Sequence, residues 1–342
     1  MVHSQMAEYG HEQVTHFLDE ATGLRAIVAL HDTTLGPGLG GTRLLPYDTE
    51  TEALRDVLRL SSAMTYKAAA SDLDLGGGKA VVVADPDEKT DALMRAYGRA
   101  VDRLDGRYVT SVDVNTSTAD MDLIAEETDH VTAVSDGLGN PSAVTAQGVF
   151  SGIRACVEAR YGNDALDGRS VVVQGLGKVG RNLTERLVDA GAEVTVTDVD
   201  RAALQRAVEE LDVGTVAPEE VYDHPCDVFA PCAMGGVVND DTIDRLSCDI
   251  VAGAANNVLE ERRHADELRD RGILFAPDYV INAGGLVTVA TEYAGGTRED
   301  ALAAAAAIGP RLVRFVERAD ERGVTVLEAA DRYAEERIEA AR

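Results

Sequence analysis

The sequence predicts an α/β fold in two domains, and three observations carry that expectation. Short apolar strands alternate with amphipathic helices along most of the chain, the pattern of a layered α/β architecture. One strand runs straight into a glycine-rich turn that opens a helix, as in a doubly wound parallel sheet. The 342 residues also exceed what one hydrophobic core organises, because single cores stop growing near ~250–300 residues.

Residues 24–31, LRAIVALH, read as a strand, ended by a loop at 36–41, GPGLGG. From residue 49 the pattern turns helical: Ala53, Val57, Leu60 and Met64 recur at three- and four-residue spacing, Glu50 and Glu52 sit at the positive end of the dipole, and Lys67 comes at or near the helix end. A strand at 80–85, a helix at 86–104 and a strand at 108–112 follow, the last delivering Asp113 at its C-terminal end. Residues 129–140 hold a short strand and a glycine-rich turn, taken as the crossing between domains. A helix at about 145–159 leads to the apolar strand 170–174, and further strands are expected at 194–197, 228–230, 250–252 and 273–275, with helices at the alanine run 303–307 and at 326–342. The domains are expected at 1–138 and 139–324, with the helix of about 325–342 packing back on the first.

Sixty acidic against 32 basic residues leave a net charge of −28. No basic stripe exists to neutralise phosphates, so nucleic acid is excluded as a partner, and an anionic membrane surface repels such a chain. The acids are spread through periodic apolar segments instead of gathering in blocks, which marks a folded protein with a dense acidic surface, suited to a salt-rich (halophilic) cytoplasm. Cys156, Cys226, Cys232 and Cys248 form no CxxC pair and no metal-ligand spacing with histidine; they read as buried thiols in a reducing compartment, and no metal is expected. His3, Glu8, His11, Glu12, Asp19 and Glu20 interrupt the first twenty positions, and no apolar run nears the ~18 residues of a membrane span, so a soluble cytoplasmic protein is expected.

Of the 32 basic residues only four are lysine: Lys67, Lys79, Lys89 and Lys178. Lys67 and Lys79 lie twelve residues apart in MTYKAAASDLDLGGGK, and Gly76, Gly77 and Gly78 allow positive φ and close approach of backbone to a ligand. A lysine is also the cation whose pKa falls on burial, giving a base usable near neutral pH, which arginine cannot do. Two solvated lysines at element ends are the plain alternative; their scarcity and the triple glycine favour chemistry.

Gly175-Leu-Gly177-Lys-Val-Gly180 follows the strand 170–174, opens a helix and lies 18 residues before Asp198, which ends the next strand. In that context Gly175, Gly177 and Gly180, with Lys178 and Val179 between them, admit a pyrophosphate to the helix N-terminus, and Asp198 accepts from a ribose hydroxyl. A carboxylate there repels a 2′-phosphate and favours NAD, while nearby Arg201 keeps NADP open. Lys178 either helps a phosphate or is solvated. Asp113 is either a ligand-facing acid at a strand end or a turn acid before the next helix. The seven histidines form no triad or metal motif and read as surface or loop residues, and Ser111 and Ser135 lack a nucleophile elbow.

GLGGTR, MTYKAAA, LGGGKAVV, GRYVTSVD, GNPSAVTAQGV, VQGLGKVG, CDVFAPCA and APDYVINAGG, in this order from about residue 36 onward, resemble the Glu/Leu/Phe/Val dehydrogenase family, and within it the leucine branch most closely. The resemblance implies a homo-oligomer that reversibly deaminates an L-amino acid to the 2-oxo acid and ammonia with a nicotinamide cofactor. It also implies an N-terminal substrate and oligomerisation domain, a Rossmann-type domain and a cleft between them. By resemblance Lys67 holds the substrate carboxylate, Lys79 activates water and Asp113 relays protons at the amino nitrogen. Gly40, Gly41, Met64, Leu39 and Leu286 then fall at the substrate, and Thr145, Asn257 and Asn282 at the nicotinamide or its ribose.

The chain departs from the family pattern in places. Asp113-Val114-Asn115-Thr116 stands where the family commonly has aspartate, a hydrophobic residue, glycine and threonine. Ser111 stands for alanine and Leu286 for valine at positions shaping the side-chain pocket, which leaves the particular amino acid open. Leu39 takes the place of a lysine that serves a distal carboxylate in glutamate enzymes, which favours an apolar side chain in the leucine, valine and isoleucine class. Glutamate dehydrogenase activity and a non-catalytic nucleotide sensor are the alternatives.

Overall fold

The computed structural model describes residues 2–342 and divides into two compact units. One holds the chain up to Gly139 together with Val289–Thr297 and Tyr333–Arg342; the other holds Asn140–Thr288 and Arg298–Arg332.

The first unit is built on five strands, β1 (Gln13–Asp19), β2 (Leu24–Leu30), β3 (Gly38–Leu45), β4 (Gly76–Val83) and β5 (Tyr108–Val112), in the order β1-β2-β4-β3-β5. β2 pairs antiparallel with β1 and β4, whereas β3 runs parallel to both β4 and β5. The continuous apolar run of β2 is buried everywhere except at Arg25, because it serves a layer on each face. On one face lies the helix Glu50–Ala70, capped by Thr49, with Ala53, Leu54, Val57 and Leu58 against Ile27, Ala29 and Val81. On the other, the helices Asp91–Asp102 and Thr118–Ala125 supply Leu93, Met94, Tyr97, Val101, Met121 and Ile124 against Val28, Leu30, Leu44 and Val82. Each large side chain so buried contributes roughly 1.5–3 kcal/mol, so packing of these two faces, more than helix propensity, holds the unit together.

The remaining pieces of this unit return from later in the chain. Glu292 accepts from the backbone N–H of Ala133 at 2.6 Å and of Leu138 at 2.9 Å. In the closing helix Val326–Ala340, Arg337 donates to the Leu73 carbonyl at 2.7 Å and meets Asp74 at 2.6 Å, while Tyr333 bonds Asp72. A single boundary near residue 138 omits the Val289–Thr297 return, because one carboxylate capping a distant loop leaves no local pattern.

Several expectations are corrected here. The glycine-rich stretch at 36–41 is not all loop, since β3 begins at Gly38, and β4 begins at Gly76, not at residue 80. The strand expected within 129–140 reduces to a lone bridge between Thr110 and Val131. The histidines are not all peripheral: His264 is fully buried, and His11 is 9% exposed with Nε2 2.7 Å from Ser61 Oγ. Burial, helped by neighbouring His31, pushes the His11 imidazole down to about 4, so it is neutral in the fold. An isolated histidine adds nothing to hydrophobic periodicity, which is why its burial is invisible in the sequence.

The second unit carries six strands, β6 (Ser170–Gln174), β7 (Glu193–Thr197), β8 (Gly214–Thr215), β9 (Cys226–Pro231), β10 (Cys248–Val251) and β11 (Leu274–Phe275). Their order is β11-β10-β9-β6-β7-β8 with every pairing parallel, the doubly wound Rossmann order. The order reverses between β6 and β9, where such sheets bind ligands at the carboxyl ends of their strands. Among the described residues no helix is long and apolar enough to cross a membrane.

Candidate active site

The first cluster gathers on the parallel half of the first sheet. β3 lies between β4 and β5, pairing Thr42 with Ala80 on one side and Gly41 with Ser111 on the other. Lys79 on β4 reaches Asp113, just past β5, across β3, whose Gly41 lies bare against Asp113. A Cβ on Gly41 would lie 2.8 Å from the Asp113 Cβ and 2.5 Å from the Val112 carbonyl oxygen. Lys79 Nζ donates to Asp113 Oδ2, and the residue is 6% exposed. Burial holds the Lys79 ammonium below its ordinary range, against the pull of Asp113. For Asp113, burial opposes the charge, but Lys79 and Arg43 outweigh it and keep the carboxyl ionised below its usual range.

The triple glycine has a different purpose from the one its composition suggests. Gly76, Gly77 and Gly78 are strand residues, absent from the positive-φ positions, and they bring protein elements together where a ligand was expected. A Cβ on Gly77 would stand 2.0 Å from Thr65 Oγ1 and 2.3 Å from the Ser61 carbonyl oxygen, so bare backbone here lets the helix Glu50–Ala70 settle directly on β4. That helix carries Met64 and Lys67, both half-buried, Lys67 in its last turn. Gly40 is held from behind: its carbonyl accepts from the Tyr108 hydroxyl at 2.6 Å, and a Cβ on it would strike the Gly78 oxygen at 1.8 Å. Leu39 is 1% exposed and Ser111 4%.

The unusual loop after the acid is also accounted for. Asn115 sits at φ +58°, a left-handed conformation that asparagine tolerates and that glycine adopts freely. Its Nδ2 donates to the Leu44 carbonyl at 3.0 Å, and its own carbonyl accepts from Lys89 Nζ at 3.0 Å. Thr116 Oγ1 accepts from the Asp113 N–H at 2.8 Å and donates to the Thr42 carbonyl at 2.9 Å. Asparagine here holds a turn that glycine also adopts, and a third lysine secures it.

The second cluster belongs to the other unit, and its glycines fit a dinucleotide. Gly175, at φ +101°, makes the tight turn and packs on Ala233, and a Cβ on Gly180 would lie 1.9 Å from the Gly175 oxygen, so the helix Lys178–Asp189 packs closely on β6. Gly177 differs: a Cβ there meets no protein atom within 4 Å, so its bareness serves no packing and leaves backbone open to a pyrophosphate. Beside it a cavity of about 470 Å³ is lined by Ser142, Lys178, Arg181, Asn182 and Arg298, a cationic wall at a helix N-terminus. Asp198 Oδ2 accepts from the Leu176 N–H at 2.5 Å, placing the carboxylate at the turn itself, and Val179 is half-buried in the first turn of the helix.

In this unit Thr145 lies against Gly284, two residues beyond Asn282, where a Cβ on Gly284 would stand 2.4 Å from the Thr145 Cα, and Asn282 Nδ2 donates to Asn256 Oδ1 at 2.8 Å. Asn257, exposed at φ +51°, adjoins Asn256, and Leu286 is 6% exposed in the helix Gly284–Tyr293. Arg43 is the member sequence reasoning missed. Its signal was its position two residues after Gly41, on the same face of one strand.

Residues 11–130 match the family model of the Glu/Leu/Phe/Val dehydrogenase dimerisation domain, and residues 196–342 match that of Glutamate/Leucine/Phenylalanine/Valine dehydrogenase. The chain is 48% identical over 341 residues to leucine dehydrogenase of Bacillus subtilis (strain 168), covering 98% of this chain and 94% of that protein. It is 44% identical over 338 residues to phenylalanine dehydrogenase of Lysinibacillus sphaericus, covering 96% and 89%. The crystal structure of L-tryptophan dehydrogenase from Nostoc punctiforme superposes with a TM-score of 0.92 at 45% identity, covering 100% of this chain and 99% of that one.

Proposed function

The chain belongs to the Glu/Leu/Phe/Val dehydrogenase family, and on that footing we propose that it catalyses the NAD-dependent, reversible oxidative deamination of an apolar L-amino acid. The observation that carries this reading is the buried Lys79 in contact with an ionised Asp113. A bound nicotinamide would supply the acceptor for a hydride from the substrate α-carbon. The resulting iminium carbon needs a water nucleophile. Lys79, depressed by burial, takes the water's proton, and Asp113 relays protons at the departing nitrogen. Lys67 stays charged against the α-carboxylate. Water is consumed, and the 2-oxo acid, ammonia, the reduced cofactor and a proton are released.

Gly175, Gly177, Lys178, Val179, Gly180 and Asp198 hold the dinucleotide in this reading, and Thr145, Asn257 and Asn282 serve its nicotinamide end. Asp198 at the glycine turn supports NAD over NADP. Leu39, buried where a distal carboxylate would need a cation, supports an apolar side chain over glutamate. The intact Lys79–Asp113 contact speaks against a mere nucleotide sensor. Initial rates with leucine, valine, isoleucine, phenylalanine, tryptophan and glutamate, each with NAD and NADP in molar KCl, test this. Turnover of apolar substrates with NAD is expected; preference for glutamate, or NAD binding with no turnover of any substrate, would contradict it.

The net charge of −28 further supports a halophilic, cytoplasmic enzyme, and β1, an edge strand that leaves Leu18 70% exposed, supports a homo-oligomer. Raising KCl from 0.1 M to several molar is expected to raise the unfolding temperature as salt screens acidic self-repulsion. Unfolding insensitive to KCl would remove the halophilic reading, and a light-scattering mass of one chain in that salt would remove the oligomer.

A further inference from the structure

Two residues tied to the candidate site have no part in the reaction so far. Arg43 leaves β3 with Nε 3.4 Å from Asp113 Oδ1 and Nη1 3.2 Å from Asp56 Oδ2. Asp56, on the helix Glu50–Ala70, accepts from the Tyr47 hydroxyl at 2.7 Å and pairs with Arg59 at 3.0 Å. The other oxygen of Asp113 belongs to Lys79. Charges therefore alternate along Lys79, Asp113, Arg43, Asp56 and Arg59, drawn from two strands, the loop after β5 and the helix. The Arg43 and Asp56 side chains are only 23% and 19% exposed, so solvent screens the inner links weakly. Arg43 donates a hydrogen bond to Asp56, but it meets Asp113 as an ion partner only: among the described residues its Nε has no hydrogen-bond partner, and Asp113 Oδ1 accepts from the Val114 N–H at 2.7 Å.

We infer that Arg43, oriented by Asp56 and Tyr47, is a positioning residue whose charge steadies the Asp113 carboxylate beside Lys79 and shares that carboxylate between two cations. The inference takes from the proposed deamination what the Lys79–Asp113 pair does, and from geometry alone how the pair is held.

The charged groups acting on Lys79 are Asp113 from the loop after β5, Arg43 from β3 and Asp56 from the helix that also carries Lys67. Arg43 opposes the ammonium form of Lys79, and Asp56 favours it. Removing the Arg43 charge leaves Asp113 wholly to Lys79 and favours the ammonium; removing the Asp56 charge does the reverse. General damage to the site has no reason to produce shifts of opposite sign.

Reductive methylation of the full chain, resolved by peptide mass spectrometry against pH, follows Lys79 among only four lysines without requiring turnover. Arg43→Met is expected to move the Lys79 midpoint up by roughly one pH unit and Asp56→Asn to move it down by a smaller step, with Arg43→Lys nearer the parent. The acid limb of the kcat profile is expected to move in the same directions. Midpoints and kcat limbs that stay put in both variants, or move the same way in both, would overturn the inference. Midpoints that move as stated in a protein that deaminates nothing would uphold it and overturn the activity instead.

Discussion

Replacing Lys79 with alanine is expected to lower turnover by about 10⁴-fold, the upper end of what one positioned proton-transfer group supplies. The variant is expected to fold, because Asp113 keeps Arg43 at 3.4 Å and the Val114 N–H at 2.7 Å. Its affinity for NAD is expected to be unchanged, since the glycine turn and Asp198 belong to the other compact unit. Calorimetric titration with NAD beside steady-state kinetics separates these quantities. Near-normal turnover in this variant would take water activation away from Lys79. Lys67→Ala should instead raise KM more than it lowers kcat, as expected for a group that holds the carboxylate in ground and transition states alike.

The second large effect is on stability. Gly77→Ala is expected to cost ~3 kcal/mol of unfolding free energy, because its Cβ would stand 2.0 Å from Thr65 Oγ1 and 2.4 Å from the Thr65 backbone nitrogen, and a helix backbone cannot yield as a side chain does. Turnover should fall as well, since any retreat of the helix carries Lys67 with it. Gly177→Ala is the contrasting variant: its Cβ meets nothing in the protein, so stability should hold while NAD binding weakens. Denaturant midpoints and NAD titrations on both variants check this. Loss of stability at Gly177, or none at Gly77, would reverse the parts given to the two glycine clusters.

Much of the fold was legible because apolar periodicity is strong where both faces of a sheet are covered. β2 and β6 read as strands directly, and the glycine turn after β6 announced a doubly wound sheet. Lysine scarcity pointed to Lys67 and Lys79 before any geometry was known. What stayed hidden lacked a local signature. β3 and β4 open on glycines of low strand propensity, and only the neighbouring backbones, at 1.8 Å from a Cβ on Gly40 and 2.3 Å from one on Gly77, explain why nothing larger fits. Arg43 and Asp56 belong to different elements, so their bridge is a property of the packed unit. Asn115 departs from the family pattern, and its φ of +58° puts it in a left-handed conformation that the sequence alone does not announce.

Chemical rescue tests the central claim most directly. If Lys79 is the base that draws a proton from water, then small tertiary amines and imidazole added to Lys79→Ala should restore turnover in proportion to their concentration, more so as their basicity rises, with no such gain for Lys67→Ala or the parent enzyme. Absence of rescue by any amine, or equal stimulation of all three proteins, would contradict that assignment.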